Sequence, residues 1–149
     1  MINKFDELKF NNNINNNKEL IFNDGKYIGQ VINDKAEGKG IFYGYNGDKY
    51  EGEFRNGKQE GKGIYYYAKS GNRYEGEWRN GNKEGKGIYY FAKSGDRYDG
   101  EWRNDKKEGK GIYYFNNGDR RMGDYLNNKP MGKHVILKIN GEVETKIYS

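Results

Sequence analysis

The 149-residue sequence contains no cysteine, one proline and one histidine. Without cysteine the chain can form neither a disulfide nor a thiolate metal site, so nothing in it indicates an oxidising compartment. No apolar run approaches the roughly 20 residues that a membrane-spanning helix needs, and the N-terminal residues lack the pattern of a secretion signal. These absences favour a cytoplasmic protein, and a location at the cytoskeleton or at a membrane surface stays open.

Residues that usually form a hydrophobic core are also scarce. Leucine, isoleucine, valine and phenylalanine account for 26 of the 149 residues, a share that is usual in disordered chains. The chain has 15 tyrosines and two tryptophans instead, and these side chains bury a large apolar area while keeping a polar end. Because the rings recur at regular intervals, the composition favours a folded repeat over a disordered chain.

The charges are numerous but mixed. The net charge of +5 comes from 27 basic and 22 acidic residues, interleaved along the chain. This balance gives a mild preference for anionic partners. It lacks the concentrated basic surface that nucleic-acid binding requires, so we predict no nucleic-acid partner.

A segment of about two dozen residues is repeated along the chain, with near-identical copies at residues 47–67, 71–91 and 95–115. A fixed period of this length indicates a stacked array whose end copies are degraded. We predict an Asn-rich segment with a capping strand at residues 1–26, and the end of a last hairpin at residues 144–149. Between them lie five repeats, at residues 27–49, 50–73, 74–97, 98–120 and 121–143.

Within one repeat the pattern has a period of two, which is typical of a β-strand. Tyr74, Gly76 and Trp78 share one side, which we call the aromatic face, and the residues between them are charged. An Asn- and Gly-rich turn at residues 79–83 leads to a second strand at residues 85–91. The sequence therefore predicts an all-β fold, an elongated single-layer antiparallel meander of stacked β-hairpins with at least ten strands.

The repeated glycines lie on the aromatic face, where each leaves a trough for a ring from a neighbouring strand. We therefore interpret both glycines of each Gly-Lys-Gly motif as space for rings, since the motif lacks the spacing of a phosphate-binding loop. On the other face we expect Glu75 and Glu77 to pair with Lys86. Near the C-terminus, the lone Pro130 is predicted to lie in a turn.

No set of residues predicts an enzyme. The glutamates recur in every hairpin, whereas a catalytic site is one constellation. His134 is the only histidine and stands where the repeat expects glycine, with no cysteine or carboxylate cluster to complete a metal site. We predict no catalytic residue, no metal site and no cofactor.

The pattern Y-x-G-x-W-x-x-G-x-x-x-G-x-G-x-x-x-Y closely resembles the MORN repeat (membrane occupation and recognition nexus). It is matched at residues 50–67, 74–91 and 98–115, and more loosely at residues 27–43 and 121–137. The resemblance implies a twisted single-layer sheet with a shallow groove on one face. It also implies a scaffold of cytoskeletal, ciliary or budding structures, in some cases dimeric, for which helical peptides and phosphoinositide membranes are the proposed ligands.

A single-layer sheet has no second layer to cover its rings, and exposed aromatic patches mark partner sites. We therefore predict that a helix or an extended peptide of a protein partner binds along the aromatic face. The alternative, in which the rings only pack within the sheet, stays open. The predicted partner-binding residues are Tyr50, Phe54, Tyr74, Trp78, Tyr98, Trp102 and Tyr125.

The alternative is a peripheral module for anionic or phosphoinositide membranes. Its predicted lipid-binding residues are the basic turn residues Lys83, Lys93, Lys106 and Lys107. Acidic residues interleave with these lysines and no loop carries an apolar tip, both of which weigh against membrane anchoring. Formation of a homodimer stays open.

Overall fold

The computed structural model describes residues 17–149. The predictions made for residues 1–16 therefore lie outside the described residues. The short strand that precedes the first repeat is present as β1 (Asn17–Phe22).

All described secondary structure is β, and the strands follow one another in chain order. After β1 come β2 (Gly25–Ile32), β3 (Lys35–Gly44), β4 (Lys49–Arg55), β5 (Lys58–Tyr66), β6 (Arg73–Arg79), β7 (Asn82–Tyr90), β8 (Arg97–Arg103), β9 (Lys106–Tyr114), β10 (Arg120–Leu126), β11 (Lys129–Leu137) and β12 (Val143–Tyr148). Each strand pairs with the next in one 12-stranded antiparallel sheet, and residues 17–149 contain no helix. The predicted all-β single-layer meander is confirmed.

A two-residue turn in which both φ angles are positive closes five hairpins, namely β2–β3, β4–β5, β6–β7, β8–β9 and β10–β11. At the turn between β6 and β7, Asn80 has φ 50° and Gly81 has φ 86°. The equivalent turns are Asn33-Asp34, Asn56-Gly57, Asn104-Asp105 and Asn127-Asn128. This geometry is that of the type I′ turn, which Asn and Gly favour and whose twist matches that of the two strands. The turn thus sets the register at the closed end of these five hairpins.

A bulge follows in the second strand of each of these five hairpins, at the first glycine of the Gly-Lys-Gly motif or at Gly132 in β11. Gly85 has φ 64° and interrupts the pairing, which passes from Gly76–Gly87 to Glu77–Glu84. Lys86 therefore lies opposite Glu101 on β8. The predicted pairing of Glu75 and Glu77 with Lys86 is wrong, because the bulge adds residues to β7 that have no counterpart on β6.

Only the second glycine of the motif makes room for a ring. Tyr74 lies flat over Gly76 and Gly87, and a Cβ added at Gly87 would lie 2.5 Å from Cζ of Tyr74. The Tyr74 hydroxyl donates a hydrogen bond to the Glu77 carbonyl at 3.0 Å. The first glycine, Gly85, is instead required by its left-handed backbone.

In the hairpin of β10 and β11 the ring comes from the opposite strand. Arg121 stands where the earlier repeats have tyrosine, and the ring of His134 lies over Gly123. Nε2 of His134 donates to the Asp124 carbonyl at 2.8 Å, the carbonyl equivalent to that of Glu77. Pro130 lies in β11 opposite Tyr125, so its predicted place in a turn is wrong.

Candidate functional site

The two faces of the sheet differ in chemistry. The face opposite the aromatic face carries cations beside tyrosines and carboxylates, as where Arg73 lies 4.4 Å from the ring centre of Tyr90 and 2.8 Å from Glu75. Arg97 repeats the contact at 3.9 Å from Tyr114. Arg73 and Arg97 thus each contact a ring of the sheet itself.

On the aromatic face, the sequence-predicted partner-binding residues form a continuous buried stack, which we call the core row. Neighbouring rings meet edge to face with centroids 4.8–5.4 Å apart. The core row comprises Tyr27, Tyr50, Phe54, Tyr74, Trp78, Tyr98, Trp102 and Tyr125, none more than 6% exposed. The structure thus brings all seven predicted residues together, but inside the packing of the array. Their role in partner binding stays a prediction.

The indole nitrogens of the core row are also satisfied internally. Nε1 of Trp78 donates to the Gly63 carbonyl at 3.2 Å, and Nε1 of Trp102 donates to the Gly87 carbonyl at 3.0 Å. A tryptophan that serves as an interface anchor usually offers this donor to the partner. On the undistorted sheet, these two rings therefore offer a ligand neither area nor a donor.

A second row of rings on the aromatic face is half-buried and continuous, and we call it the outer row. It comprises Tyr65, Tyr67, Tyr89, Phe91, Tyr113 and Phe115. Successive centroids lie 4.5–5.8 Å apart. The sequence analysis missed these residues, although the repeated ring-rich strand end, as in Ile88-Tyr89-Tyr90-Phe91, was a signal that could have found them.

Polar groups in the loops hold the outer row in place. The Tyr113 hydroxyl donates to Oδ2 of Asp96 at 2.9 Å, while Oδ1 of Asp96 accepts from the Asn116 amide at 2.8 Å. Burial and this hydrogen bond to Asp96 raise the pKa of Tyr113 to about 12. Asp48 holds Tyr65 in the same way at 2.9 Å. These rings are therefore positioned before any ligand arrives.

Two of the four lysines predicted to bind lipid lie on the aromatic face rather than at a turn tip. Nζ of Lys83 lies 5.2 Å from the Trp102 ring centre and donates to the Tyr67 hydroxyl at 3.1 Å. Burial lowers the pKa of Lys83, and the Asp105 carboxylate opposes that shift. Burial, and to a smaller extent the charge of Arg121, lowers the pKa of Lys107 to about 8.

The other two predicted lysines are exposed and belong to different loops. Lys93 lies in the loop between β7 and β8, and Lys106 begins β9 with its Nζ 3.1 Å from Asn127 Oδ1. The structure therefore does not gather the four lysines into one basic cluster. Their role in lipid binding stays a prediction.

Within residues 17–149, no group of three histidine, cysteine or carboxylate side chains is placed to hold a metal ion. No helix in that part of the chain is long and apolar enough to cross a membrane.

The family model of the MORN repeat matches four consecutive segments, at residues 27–49, 50–71, 74–95 and 98–120. The chain belongs to the MORN-repeat family. It is a β-meander repeat scaffold whose rings are shared between neighbouring hairpins, and the hairpin of β10 and β11 continues the array beyond the matched segments. A search of curated proteins found no match.

Solved structures with a similar fold include the TCP10 domain of Danio rerio CPAP in complex with a peptide of STIL. That likeness has a TM-score of 0.52 and 14% identity, and covers 87% of this chain and 63% of the solved chain. The Drosophila melanogaster SAS-4 (dCPAP) TCP domain, in complex with a proline-rich motif of Ana2, has a TM-score of 0.46 and 18% identity, covering 89% of this chain and 90% of that one. At these identities the likeness is one of fold.

Proposed function

We propose that this protein is a non-enzymatic scaffold that binds a protein partner, as a helix or an extended peptide, across the strands of its aromatic face. The observation that carries the proposal is the outer row. Six half-buried rings form an unbroken ladder on a sheet that has no second layer among residues 17–149. Partly exposed aromatic side chains held in fixed positions are the usual anchors of protein interfaces.

The spacing of the ladder defines what fits on it. Equivalent rings such as Tyr65, Tyr89 and Tyr113 are two strands apart, which is about 9–10 Å. A helix covers that distance in about seven residues, and an extended peptide in the polyproline II conformation covers it in one turn of about three residues. The partner segment should therefore present an apolar side chain at one of these two intervals.

The comparison with a solved complex is compatible with this use of the fold. The Danio rerio CPAP domain, whose fold is similar, was solved in complex with a peptide of STIL. The proposal for this chain includes a cytoplasmic location at cytoskeletal or membrane-associated structures, and a second copy of the chain is a further partner to test.

The membrane alternative receives less support from the geometry. Surface anchoring uses a cluster of basic residues or an inserted apolar segment. Lys83 and Lys107 are half-buried among rings, which leaves Lys93 and Lys106 as the exposed members of the predicted set. We therefore place the protein partner first.

The experiment compares substitutions on the two faces of the same strands. A displayed library of random peptides is selected on the wild-type protein, and the selected peptides are then measured against Tyr89→Ser/Tyr113→Ser. The matched control is Tyr90→Ser/Tyr114→Ser, the next residue of each strand, which lies on the charged face.

We expect the outer-row variant to lose affinity by about thirtyfold or more, since an anchor residue is worth about 2 kcal/mol. The charged-face variant should bind within about threefold of wild type. Thermal unfolding of both variants verifies that they are folded. If wild type selects no peptides, or if the two variants bind equally well, the proposal is wrong.

A further inference from the structure

Two cations at the C-terminal end of the aromatic face have no carboxylate partner among residues 17–149. Nζ of Lys107 lies 4.7 Å from the ring centre of Tyr98, 4.9 Å from Phe91 and 5.2 Å from Tyr113. Cζ of Arg121 lies 5.4 Å from the same Tyr113 ring. No ion pair within 4.0 Å joins either cation to an acidic side chain in the described part of the chain.

The preceding repeat shows what Lys107 lacks. Lys83 occupies the equivalent position, where it donates to the Tyr67 hydroxyl at 3.1 Å and lies 3.9 Å from Oδ1 of Asp105. One repeat later the tyrosine is replaced by Phe91. The aspartate is replaced by Asn128, whose Oδ1 accepts from the backbone amide of Lys107 just as Asp105 accepts from that of Lys83, but Asn128 carries no charge. The same lysine pocket is thus built twice, and the second copy has lost both polar partners of the ammonium group.

Arg121 also has unused hydrogen-bonding capacity. Its Nη1 donates to the Tyr148 hydroxyl at 3.2 Å, but its Nε is buried and has no hydrogen-bond partner in the part of the chain that the structure describes. Arg121 stands at the tyrosine position of the repeat because His134 fills the ring site over Gly123 from the opposite strand. Because His134 supplies the ring, position 121 can carry a charged group, and Arg121 thereby adds a second cation that, like Lys107, contacts the ring of Tyr113.

Two acidic residues of the neighbouring loops are engaged elsewhere. Asp96 accepts hydrogen bonds from Tyr113 and from the Asn116 amide. Asp119 accepts from the Ile139 amide at 2.9 Å and lies 3.9 Å from Nζ of Lys138. The two half-buried cations therefore share the Tyr113 ring, and the charge of Arg121 disfavours that of Lys107 with no ion pair to offset it among residues 17–149.

We propose that Lys107 and Arg121 bind a carboxylate side chain of the partner, so that the bound segment is acidic where it crosses Tyr113 and Phe115. This inference rests on the proposed peptide binding along the outer row. A carboxylate fits because it would accept hydrogen bonds from both cations and neutralise their repulsion in a site partly shielded from water. The rings of Phe91 and Phe115 flank the cations and suit an apolar residue beside the acid.

The chain itself supplies the matched variants. Glutamine occupies the lysine position in the β4–β5 hairpin, as Gln59 opposite Phe54, so Lys107→Gln introduces a side chain that this site already accepts. Lys83→Gln is the control at the position whose ammonium group is satisfied. Random peptides are selected on the wild-type protein, and selected peptides are compared with copies in which each Asp or Glu is replaced by its amide.

We expect Asp and Glu to be enriched in the peptides selected on wild type. The affinity of these acidic peptides should fall at least about tenfold with Lys107→Gln. For the amide copies, the affinities for wild type and for Lys107→Gln should agree within about twofold. For the acidic peptides, the affinity for Lys83→Gln should lie within about twofold of that for wild type. Peptides that bind through the outer row without acidic enrichment, or that are indifferent to Lys107→Gln, would overturn this inference and leave the proposed function standing.

If no peptide binds at all, both the inference and the proposed function fail. Vesicles of phosphatidylserine provide the remaining arm. Binding to them that exceeds peptide binding and is lost with Lys107→Gln would assign the two cations to lipid, and would overturn the carboxylate site.

Discussion

Gly87→Ala tests whether the glycine–tyrosine contact is what holds neighbouring strands of a hairpin together. The added Cβ would lie 2.5 Å from Cζ of Tyr74, far inside ordinary van der Waals contact. The ring cannot shift sideways, because Trp78 and Trp102 meet it edge to face, each with a centroid separation of 5.2 Å. Tyr74 must therefore leave its site, where it is fully buried.

The expected cost follows from what the ring loses. Removing a buried aromatic ring from a core costs about 3–5 kcal/mol. The hydrogen bond from the Tyr74 hydroxyl to the Glu77 carbonyl is worth about 1 kcal/mol within that loss. We expect Gly87→Ala to lower the free energy of unfolding by about 4 kcal/mol, a large fraction of the stability of a typical domain.

Urea unfolding followed by tryptophan fluorescence measures this change. The control is Gly57→Ala in a hairpin turn, where φ is 80° and an added Cβ would meet nothing within 4 Å. That variant has only the left-handed backbone penalty, about 1–2 kcal/mol. In a Tyr74→Ala background, Gly87→Ala should cost less than about 1 kcal/mol, because the ring it displaces is gone. Equal losses for Gly87→Ala and Gly57→Ala would refute the reasoning.

Two further predictions concern the C-terminal end of the array. Arg121→Tyr and His134→Gly should each destabilise the protein, because the first supplies two rings for the site over Gly123 and the second supplies none. The double variant restores the repeat pattern. In a double-mutant cycle it should recover at least about half of the summed loss in the free energy of unfolding. Additive losses would show that the ring exchange is not coupled. The pKa of Lys107 is lowered from 10.5 to about 8 in the folded protein. Between these two pH values the unfolded chain therefore binds more protons than the folded chain. The free energy of unfolding of the wild type should then rise with pH relative to that of Lys107→Gln. The full shift corresponds to about 3 kcal/mol, and we expect about 1 kcal/mol because the site is only partly shielded from water. Raised tyrosine pKa values make stability fall above about pH 10 in both proteins and so cancel in the difference. Parallel pH profiles of unfolding for the two proteins would contradict this assignment.

The fold could be predicted from the sequence because its determinants are local and repeated. The period-two pattern of Tyr74, Gly76 and Trp78 defines strands, and Asn80-Gly81 defines the turn between them. Near-identical hairpins then leave stacking as the way to satisfy each strand edge. The resemblance to MORN repeats rests on the same residues.

The division of the aromatic face into buried and accessible rings was decided by the tertiary structure. Tyr74 and Tyr89 lie opposite each other on neighbouring strands and look alike in the sequence, yet Tyr74 is fully buried and Tyr89 is half-buried. The difference arises because Tyr74 lies flat in the trough made by glycines of two strands, between two tryptophans of successive hairpins. Tyr89 lies toward the loop end, where it has ring neighbours but no such trough.

The placement of charge was likewise decided by register. A sequence pattern can place Lys86 and Lys107 on strands, but the bulge at the left-handed glycine sets which strand each one faces. The bulge turns Lys86 to Glu101 and leaves Lys107 opposite Trp102, among the rings of the aromatic face. Whether a lysine is paired or left without a carboxylate depends on contacts between hairpins a full repeat apart, and a local pattern carries no information about those contacts.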